Sequence, residues 1–504
     1  MEKIAIIDLG SQLARLVIAN VTDDGYFMVC DDMREQVKLS QDMEWDGFLK
    51  PNRVAHALKV LKMFRKLCDT NGVEKVFAYA TSAVRRAKNQ KGFLDEVAVT
   101  CGIKLKVLTE EEEAGLIYSG VINTMDIPKG LILDICGGSI QLVYYYRRNL
   151  LAQASLPFGA VTVAELFKDA TIDTEEQMKN IQAYVKEHLD KIEWLKDVDP
   201  ETQLVGVGGA FRNIGRMSRM LKRYPIDISH NYHMTMEDLS QVYEAFKNTE
   251  VDSNTRIRGL SSVRADIFPS ALATISALLE TVTFSEMAIS DHGIRDGALF
   301  RTVIPTTAER PISDVLGFSL NSLVRQYNLN IPHAEHVYNI AMQLFKQLKV
   351  LHKLPRMYVK VLRVAAILHD AGECVDYNSH HIHSMYMIHQ SDIYGISQRE
   401  KLLAGFVAKG HHGNDLTIAE MMKYKDILHE EDYDAVRKLG VILKIAESFD
   451  RSKSGIITGI SCDLLGDSVI LKIESEADAG LEVRSAMSSC AEFKRAFKKN
   501  LEIL

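Results

Sequence analysis

The chain has 504 residues, 47% of them hydrophobic and 25% charged, with a formal net charge of −7. A single core rarely grows past roughly 250–300 residues, so several domains are expected. The acidic balance speaks against a protein that coats nucleic acid or an anionic membrane. The seven cysteines are scattered and form no CxxC pair, which argues against disulfides and structural zinc. No signal-peptide layout opens the chain, and no apolar run approaches the roughly 18 residues of a membrane helix. A soluble cytoplasmic protein without membrane or nucleic-acid partners is therefore expected.

The first element is an apolar strand, Ile4-Ala5-Ile6-Ile7, that breaks into Asp8, Gly10 and Ser11 and resumes as Leu16-Val17-Ile18. Val76–Ala80 reads as a strand ending at Thr81-Ser82, a helix-capping pair followed by Arg85-Arg86. Lys106-Val107-Leu108 is a further strand, meeting Thr109 and four glutamates, Glu110 to Glu113. After the turn Asp126-Ile127-Pro128-Lys129-Gly130, the opening signature recurs: Leu131–Ile135 carries Asp134, then Gly137-Gly138-Ser139, then Leu142-Val143-Tyr144. Leu204–Val207 leads through Gly208-Gly209 into a helix over Phe211–Met220, and Met287–Ser290 leads through Asp291-His292-Gly293 into a helix at Arg295. Strands alternating with helices indicate an α/β architecture, and the repeated strand–turn–strand unit indicates two related lobes facing a cleft. Ile304–Pro311, with prolines near both ends, reads as a linker. From Ile312 to about Asp450 the patterning is helical, and from about Gly455 to Leu504 it returns to short strands and a basic helix. The expected division is 1–125 for the first lobe, 126–305 for the second, 306–454 for a helical domain and 455–504 for a small α+β tail.

The turns carry the chemistry. Glycine-rich turns let backbone N–H groups converge on an anion, and a strand-ending aspartate can hold the divalent cation that neutralises it. Two copies, each with an acid, a glycine and a serine in register, are expected to build one phosphate site from Gly10, Ser11, Gly137, Gly138 and Ser139. Asp134 is the stronger metal candidate, with Asp8 facing it from the other lobe. Gly208 and Gly209 open a helix whose N–H groups suit an anion. Thr81, Ser82 and Arg85 offer hydroxyls and a guanidinium fork matched to phosphate oxygens; they serve equally as an N-cap followed by surface arginines. Thr109 with Glu112 fits a capping box. At about 100° per residue only one or two of the four glutamates can face a cleft, and Glu113, beside the small Ala114, is the inward candidate, able to take a proton from an attacking water. In the helical region, His369-Asp370 with His336 upstream and Glu447 and Asp450 downstream has the layout of a metal phosphohydrolase bundle. Bundle histidines that only pack and hydrogen-bond would look the same in sequence.

These motifs resemble the exopolyphosphatase/guanosine pentaphosphate phosphohydrolase (Ppx/GppA) family, in its long form with a helical HD-like domain. The resemblance spans essentially the whole chain: Asp8-Leu9-Gly10-Ser11, Ala80-Thr81-Ser82-Ala83-x-Arg85, Glu112-Glu113-Ala114, Asp134-x-x-Gly137-Gly138-Ser139, Ser155–Val161, Val205–Gly209, Arg264-Ala265-Asp266 and Asp291-x-Gly293-x-Arg295-x-Gly297. It implies a two-lobed actin-like fold of the sugar kinase/actin superfamily, with ribonuclease-H-like lobes. It further implies hydrolysis of the terminal phosphoanhydride of inorganic polyphosphate or of guanosine pentaphosphate. Magnesium would serve as cofactor, with potassium as an activator. Glu113 matches the catalytic base, Arg85 and the glycine loops would hold phosphates, and Asp134 would sit at the metal. The helical domain and tail would form a basic channel for polyphosphate, often shared across a homodimer. The chain departs from the pattern at Gln12, Leu13, Glu110, Cys136, Ile140, Gln141 and Ala210. Each lost hydroxyl removes a contact worth about 0.5–1.5 kcal/mol net. Those changes also fit a slow enzyme or a non-catalytic polyphosphate or nucleotide sensor, and sugar and acetate kinases share the turns. Glu113-Ala114 and the full-length match favour hydrolysis.

Overall fold

The computed structural model describes residues 1–43, 46–169, 171–247, 258–261, 265–412 and 416–504. Arg264 of the Arg-Ala-Asp motif lies outside the described residues. The chain forms two compact units, Met1–Val315 and Leu316–Leu504.

The first unit holds two sheets built on one plan. In the first lobe the strands are β1 (Glu2–Leu9), β2 (Leu13–Val21), β3 (Phe27–Gln36), β4 (Lys75–Ala80) and β5 (Leu105–Val107), in the order β3-β2-β1-β4-β5. β1 pairs antiparallel with β2 and parallel with β4. In the second lobe they are β6 (Lys129–Ile135), β7 (Ile140–Tyr146), β8 (Asn149–Leu156), β9 (Gln203–Val207), β10 (Tyr232–Met234) and β11 (Met287–Ser290), in the order β10-β11-β9-β6-β7-β8. β6 likewise pairs antiparallel with β7 and parallel with β9. The two sheets thus superimpose in plan, with β10 as an extra antiparallel edge. The central strands β1 and β6 are apolar on both faces because each is flanked and covered, whereas β3, at an edge, is half exposed and carries Asp31, Asp32, Arg34 and Glu35. Separate cores fill the lobes, around Leu61 and Phe64 in the first and around Phe211 and Phe268 in the second.

The shared plan corrects one detail of the repeat. The register pairs Leu9 with Ala14 and Ile135 with Ile140, so the equivalent turns are Gly10–Leu13 and Cys136–Ser139. Each is closed by the same bond, Gly10 N–H to Leu13 O at 3.0 Å and Cys136 N–H to Ser139 O at 3.0 Å. The aspartates match, but the glycines and serines are offset: Gly10 corresponds to Cys136 and Ser11 to Gly137.

Two helices cross where backbone must nearly touch. Helix Glu110–Ile122 packs on helix Ile294–Val303, and a Cβ on Gly297 would lie 1.8 Å from the Leu116 carbonyl oxygen. Because backbone cannot yield as a flexible side chain can, Gly297→Ala is expected to destabilise the protein by about 1–3 kcal/mol or more. Urea unfolding of wild type and variant checks this.

The linker expected at Ile304–Pro311 is instead partly ordered: Pro305–Ala308 is a 3₁₀ turn, and Ile312 is held at its N–H by Asn123 Oδ1 (2.8 Å) and at its carbonyl by Arg148 (2.8 Å). Those bonds keep residues 306–315 with the first unit, so the division falls at Val315/Leu316 rather than after residue 305. The second unit is a helical bundle carrying a small sheet in the order β12-β13-β14: β12 (Ile457–Leu465), β13 (Ser468–Ser475) and β14 (Asn500–Ile503). The tail is not separate from the bundle, because Gln343 Oε1 accepts from Ile460 N–H at 3.0 Å and Lys444 pairs with Glu492 at 3.2 Å. Among the described residues no helix is long and apolar enough to cross a membrane.

Candidate active site

The ends of β1 and β6 meet at one cavity of about 80 Å³, lined by both aspartates, Asp8 and Asp134. Gly10, Ser11, Thr81, Gly137, Gly208 and Gly209 share its wall, so the turns of both lobes converge on a common hollow. Gly208 adopts φ +90°, and a Cβ there would lie 2.7 Å from Asp134 Oδ1; only glycine lets the chain pass the aspartate and open helix Gly209–Lys222 toward the cavity.

Not every expected residue reaches the cavity wall. Ser82 Oγ lies 3.0 Å from Ser11 Oγ, and Thr81 makes no side-chain capping bond, so the pair ties the β4 turn to the β1 turn instead of capping its five-residue helix. Gly138 packs behind the wall, where a Cβ would sit 2.8 Å from Ser11 Oγ and 2.9 Å from Ser82 Oγ. Its missing side chain lets the second lobe's turn lie on the first lobe's turn. Ser139 points back, 3.4 Å from Glu113 Oε1.

Glu113 is the inward glutamate. The helix it rides on starts with the expected capping box: Thr109 Oγ1 accepts from Glu112 N–H at 3.1 Å and Glu112 Oε2 accepts from Thr109 N–H at 3.0 Å. That box turns Glu110 and Glu111 to solvent and Glu113 to the interior, where it is 0% exposed. Arg85 donates to Glu113 Oε2 at 2.8 Å and to the Leu108 carbonyl at 2.8 Å. Burial pushes the Glu113 carboxyl up to about 7; Arg85 opposes the rise, while Asp134 and Asp8 add to it. Arg85 is thus the partner of the carboxylate, not a surface arginine.

Both aspartates have their carboxyls raised by burial, against the pull of Arg15 on each, of Arg295 on Asp8 and of Arg212 on Asp134. Asp8 Oδ1 is buried without a hydrogen-bond partner. These three arginines line the cavity and form the cationic wall that sequence reading did not assign. Arg15 was legible in principle, because strand pairing sets it opposite Asp8. In the second lobe the residue opposite Asp134 is Gln141, buried, with Nε2 on Ser155 Oγ at 3.0 Å and Oε1 without a partner.

In the helical unit, His369 and Asp370 are joined by His333, not His336: His333 Nδ1 lies 2.7 Å from Asp450 and its Nε2 lies 3.5 Å from Asp370. Both histidines are on helix Ile331–Gln347, but three residues on a helix turn the side chain by about 300°, which sends His336 to a neighbouring face. There it borders a separate cavity with Gly455 and Thr458. Glu447 lies 3.5 Å from His411.

Two duplicated α/β lobes with aspartate-bearing turns around a common hollow define the class: a two-lobed protein of the actin-like fold. The chain belongs to the Ppx/GppA phosphatase family, whose profile matches residues 17–304, while the profile of that family's phosphatase domain III matches residues 317–485. Curated relatives include the guanosine-5'-triphosphate,3'-diphosphate pyrophosphatases of Pseudoalteromonas translucida, 26% identical over 81% of this chain and 80% of the relative, and of Aliivibrio fischeri, 26% identical over 80% and 78%. Among solved structures, an exopolyphosphatase from Cytophaga hutchinsonii is 24% identical with a TM-score of 0.56, and the Aquifex aeolicus Ppx/GppA family member is 27% identical with a TM-score of 0.51. Each covers 60% of this chain and 98% of its own.

Proposed function

We propose that this protein hydrolyses the terminal phosphoanhydride of inorganic polyphosphate, releasing orthophosphate, with Glu113 as the base. The observation that carries this reading is the buried Glu113 carboxylate, held by Arg85 at 2.8 Å beside a hollow walled by glycine turns and arginines; burial there pushes its carboxyl up to about 7. A base poised near the working pH can both take a proton from water and release it again. The hollow's volume of about 80 Å³ is far below the roughly 300–1,000 Å³ that encloses a whole small molecule. It suits a terminal phosphoryl group, with the remainder of the substrate lying outside.

Asp8 and Asp134 fit a hard divalent cation such as magnesium: both are oxygen donors, both are buried, and one Asp8 oxygen has no other partner. Bound there, magnesium would neutralise phosphoryl oxygens. Arg15, Arg212 and Arg295 add positive charge around the same oxygens, and N–H groups of the Gly10, Gly137 and Gly208 turns orient them. Glu113 accepts the proton of the attacking water. Glu113 is buried with Arg85 on Oε2 and Ser139 Oγ 3.4 Å from Oε1, so the attacking water must reach it from the hollow past Ser139.

Guanosine pentaphosphate is the second reading, favoured by the names of the curated relatives above; it presents the same terminal phosphoryl group. Phosphate release from long polyphosphate, guanosine pentaphosphate and ATP, with and without magnesium, tests the proposal. Magnesium-dependent release from polyphosphate is expected. Binding of polyphosphate with no release, or turnover of ATP alone, would overturn it. The kcat/KM profile is expected to rise with pH through about 7, as Glu113 loses its proton. A flat profile between pH 5.5 and 8.5 would remove Glu113 from the role of base.

A further inference from the structure

The helical unit gathers buried groups that the phosphatase reading does not use. His333, His369, Asp370, His380, His411 and Glu447 fall into two ligand triads, His333–His369–Asp370 and His380–His411–Glu447, each with its ligand atoms within 4.8 Å of one another. They come from five separate helical segments.

Hydrogen bonding fixes which nitrogen each ring presents. His369 Nδ1 lies 2.8 Å from the Ala366 carbonyl, His380 Nδ1 lies 2.8 Å from the Tyr377 carbonyl, and His411 Nδ1 bonds the Ala408 carbonyl. A carbonyl only accepts, so Nδ1 carries the proton in all three rings. Each neutral ring is left with a bare lone pair on Nε2. His333 uses Nδ1 on Asp450, whose other oxygen accepts from Gly455 N–H at 2.8 Å.

Those lone pairs point at one another and at carboxylates. His380 Nε2 and His411 Nε2 are 3.1 Å apart, and His411 Nε2 is 3.5 Å from Glu447. Asp370 Oδ1 is 3.3 Å from His369 Nε2 and 3.8 Å from His380 Nε2, while Asp370 Oδ2 is 3.5 Å from His333 Nε2. His369 is fully buried, and its Nε2 has no hydrogen-bond partner. Lys453 Nζ, 3.5 Å from Asp370 Oδ2, offsets part of the carboxylate charge, whereas the facing Nε2 lone pairs of His380 and His411 repel unless a cation lies between them. Imidazole Nδ1–H held by backbone carbonyls or by a carboxylate is also the arrangement that orients histidine ligands on a metal.

We propose that this cluster is a centre for two divalent transition-metal ions, one on each triad, with Asp370 spanning both. Four imidazoles favour manganese, iron, cobalt, nickel or zinc over magnesium or calcium, which prefer all-oxygen sites. A cavity of about 430 Å³, bordered by Asn330, His333, His369, Asp370 and Glu373, gives the first triad an open side for water or an oxyanion.

The test uses the full-length protein, stripped with chelator and titrated with cobalt(II), read by the visible absorption of imidazole-bound cobalt and by elemental analysis. Two equivalents with the spectrum of imidazole-bound cobalt are expected per chain in wild type and in Glu113→Gln, counted apart from any cobalt held by the oxygen donors Asp8 and Asp134. His369→Ala and His411→Ala should each lose uptake by the affected triad. Because His369 is a core residue, the near-isosteric Asp370→Asn serves as a second variant and should weaken both ions at least tenfold. Fewer than two equivalents in wild type, or unchanged uptake in folded Asp370→Asn and His411→Ala proteins, would overturn the proposal.

Discussion

Glu113→Gln should lower kcat for phosphate release by about 10²–10⁴-fold, the usual span for removing a general base. The amide keeps the shape of the carboxylate and can still accept from Arg85, so the helix, its capping box and the buried contacts remain in place. It cannot take a proton from water at any pH between 5 and 9. Two readouts therefore move together: the rate falls, and the residual rate loses the ionisation near pH 7 that belongs to Glu113. KM should stay within a few-fold, because the glycine turns that line the hollow are untouched. A variant that keeps a tenth or more of wild-type turnover would show that another group accepts the proton.

Arg85→Ala is the second large effect. Removing one partner of a buried ion pair typically costs roughly 3–5 kcal/mol. Here the Arg85 side chain is 17% exposed and Glu113 can escape by protonating, so the lower end is the most that applies, and only at a pH where wild-type Glu113 is ionised. The escape has a signature in both stability and catalysis. Glu113 in the folded protein holds its proton to about 7, against about 4.5 when unfolded, so its contribution to stability is full below pH 4.5 and is lost as pH rises through 7. Arg85 is one of the groups that lowers this proton affinity, so its loss raises the folded value further. Urea unfolding should then show the variant close to wild type at pH 5 and increasingly less stable by pH 8. The acid limb of kcat/KM should move upward from 7, and turnover at pH 7 should fall about tenfold to a hundredfold. Arg85→Lys restores charge without the two-point grip on Glu113 and Leu108, so it should recover part of the pH position and less of the rate. An unshifted limb in a folded Arg85→Ala protein would leave Arg85 with no influence on the base.

Much of this site was legible as pattern. The strand run Ile4–Ile7 and its echo at Leu131–Ile135 are apolar because they are central strands, and the strand-ending Asp8 and Asp134 do reach one hollow. Helical geometry allowed only one or two of the four glutamates to face a cleft, and Glu113, beside the small Ala114, was the inward candidate that the structure buries. Other features depend on contacts between residues far apart in the chain. Ser82 looks like a helix cap until Ser11 is seen 3.0 Å away across the sheet. Arg15 and Arg212 carry no motif signal in the sequence, and Arg295 only a place in a family motif, until the lobes bring all three to one cavity. The sequence reading named His336 alone; that His333 faces the cluster instead is a matter of helix phase, which the motif does not resolve when histidines stand three apart on one helix.

What the residues settle by themselves is therefore local and periodic: which segments are strands, where the acid-bearing turns fall, which glutamate a capped helix turns inward, and membership of the Ppx/GppA phosphatase family through its ordered motifs. Register and long-range approach belong to the tertiary structure alone. The equivalence of Gly10 with Cys136, the sealing of Glu113 by Arg85 and Ser139, and the facing imidazoles of His380 and His411 are set by packing, since sequence separation does not determine distance once a chain folds back on itself.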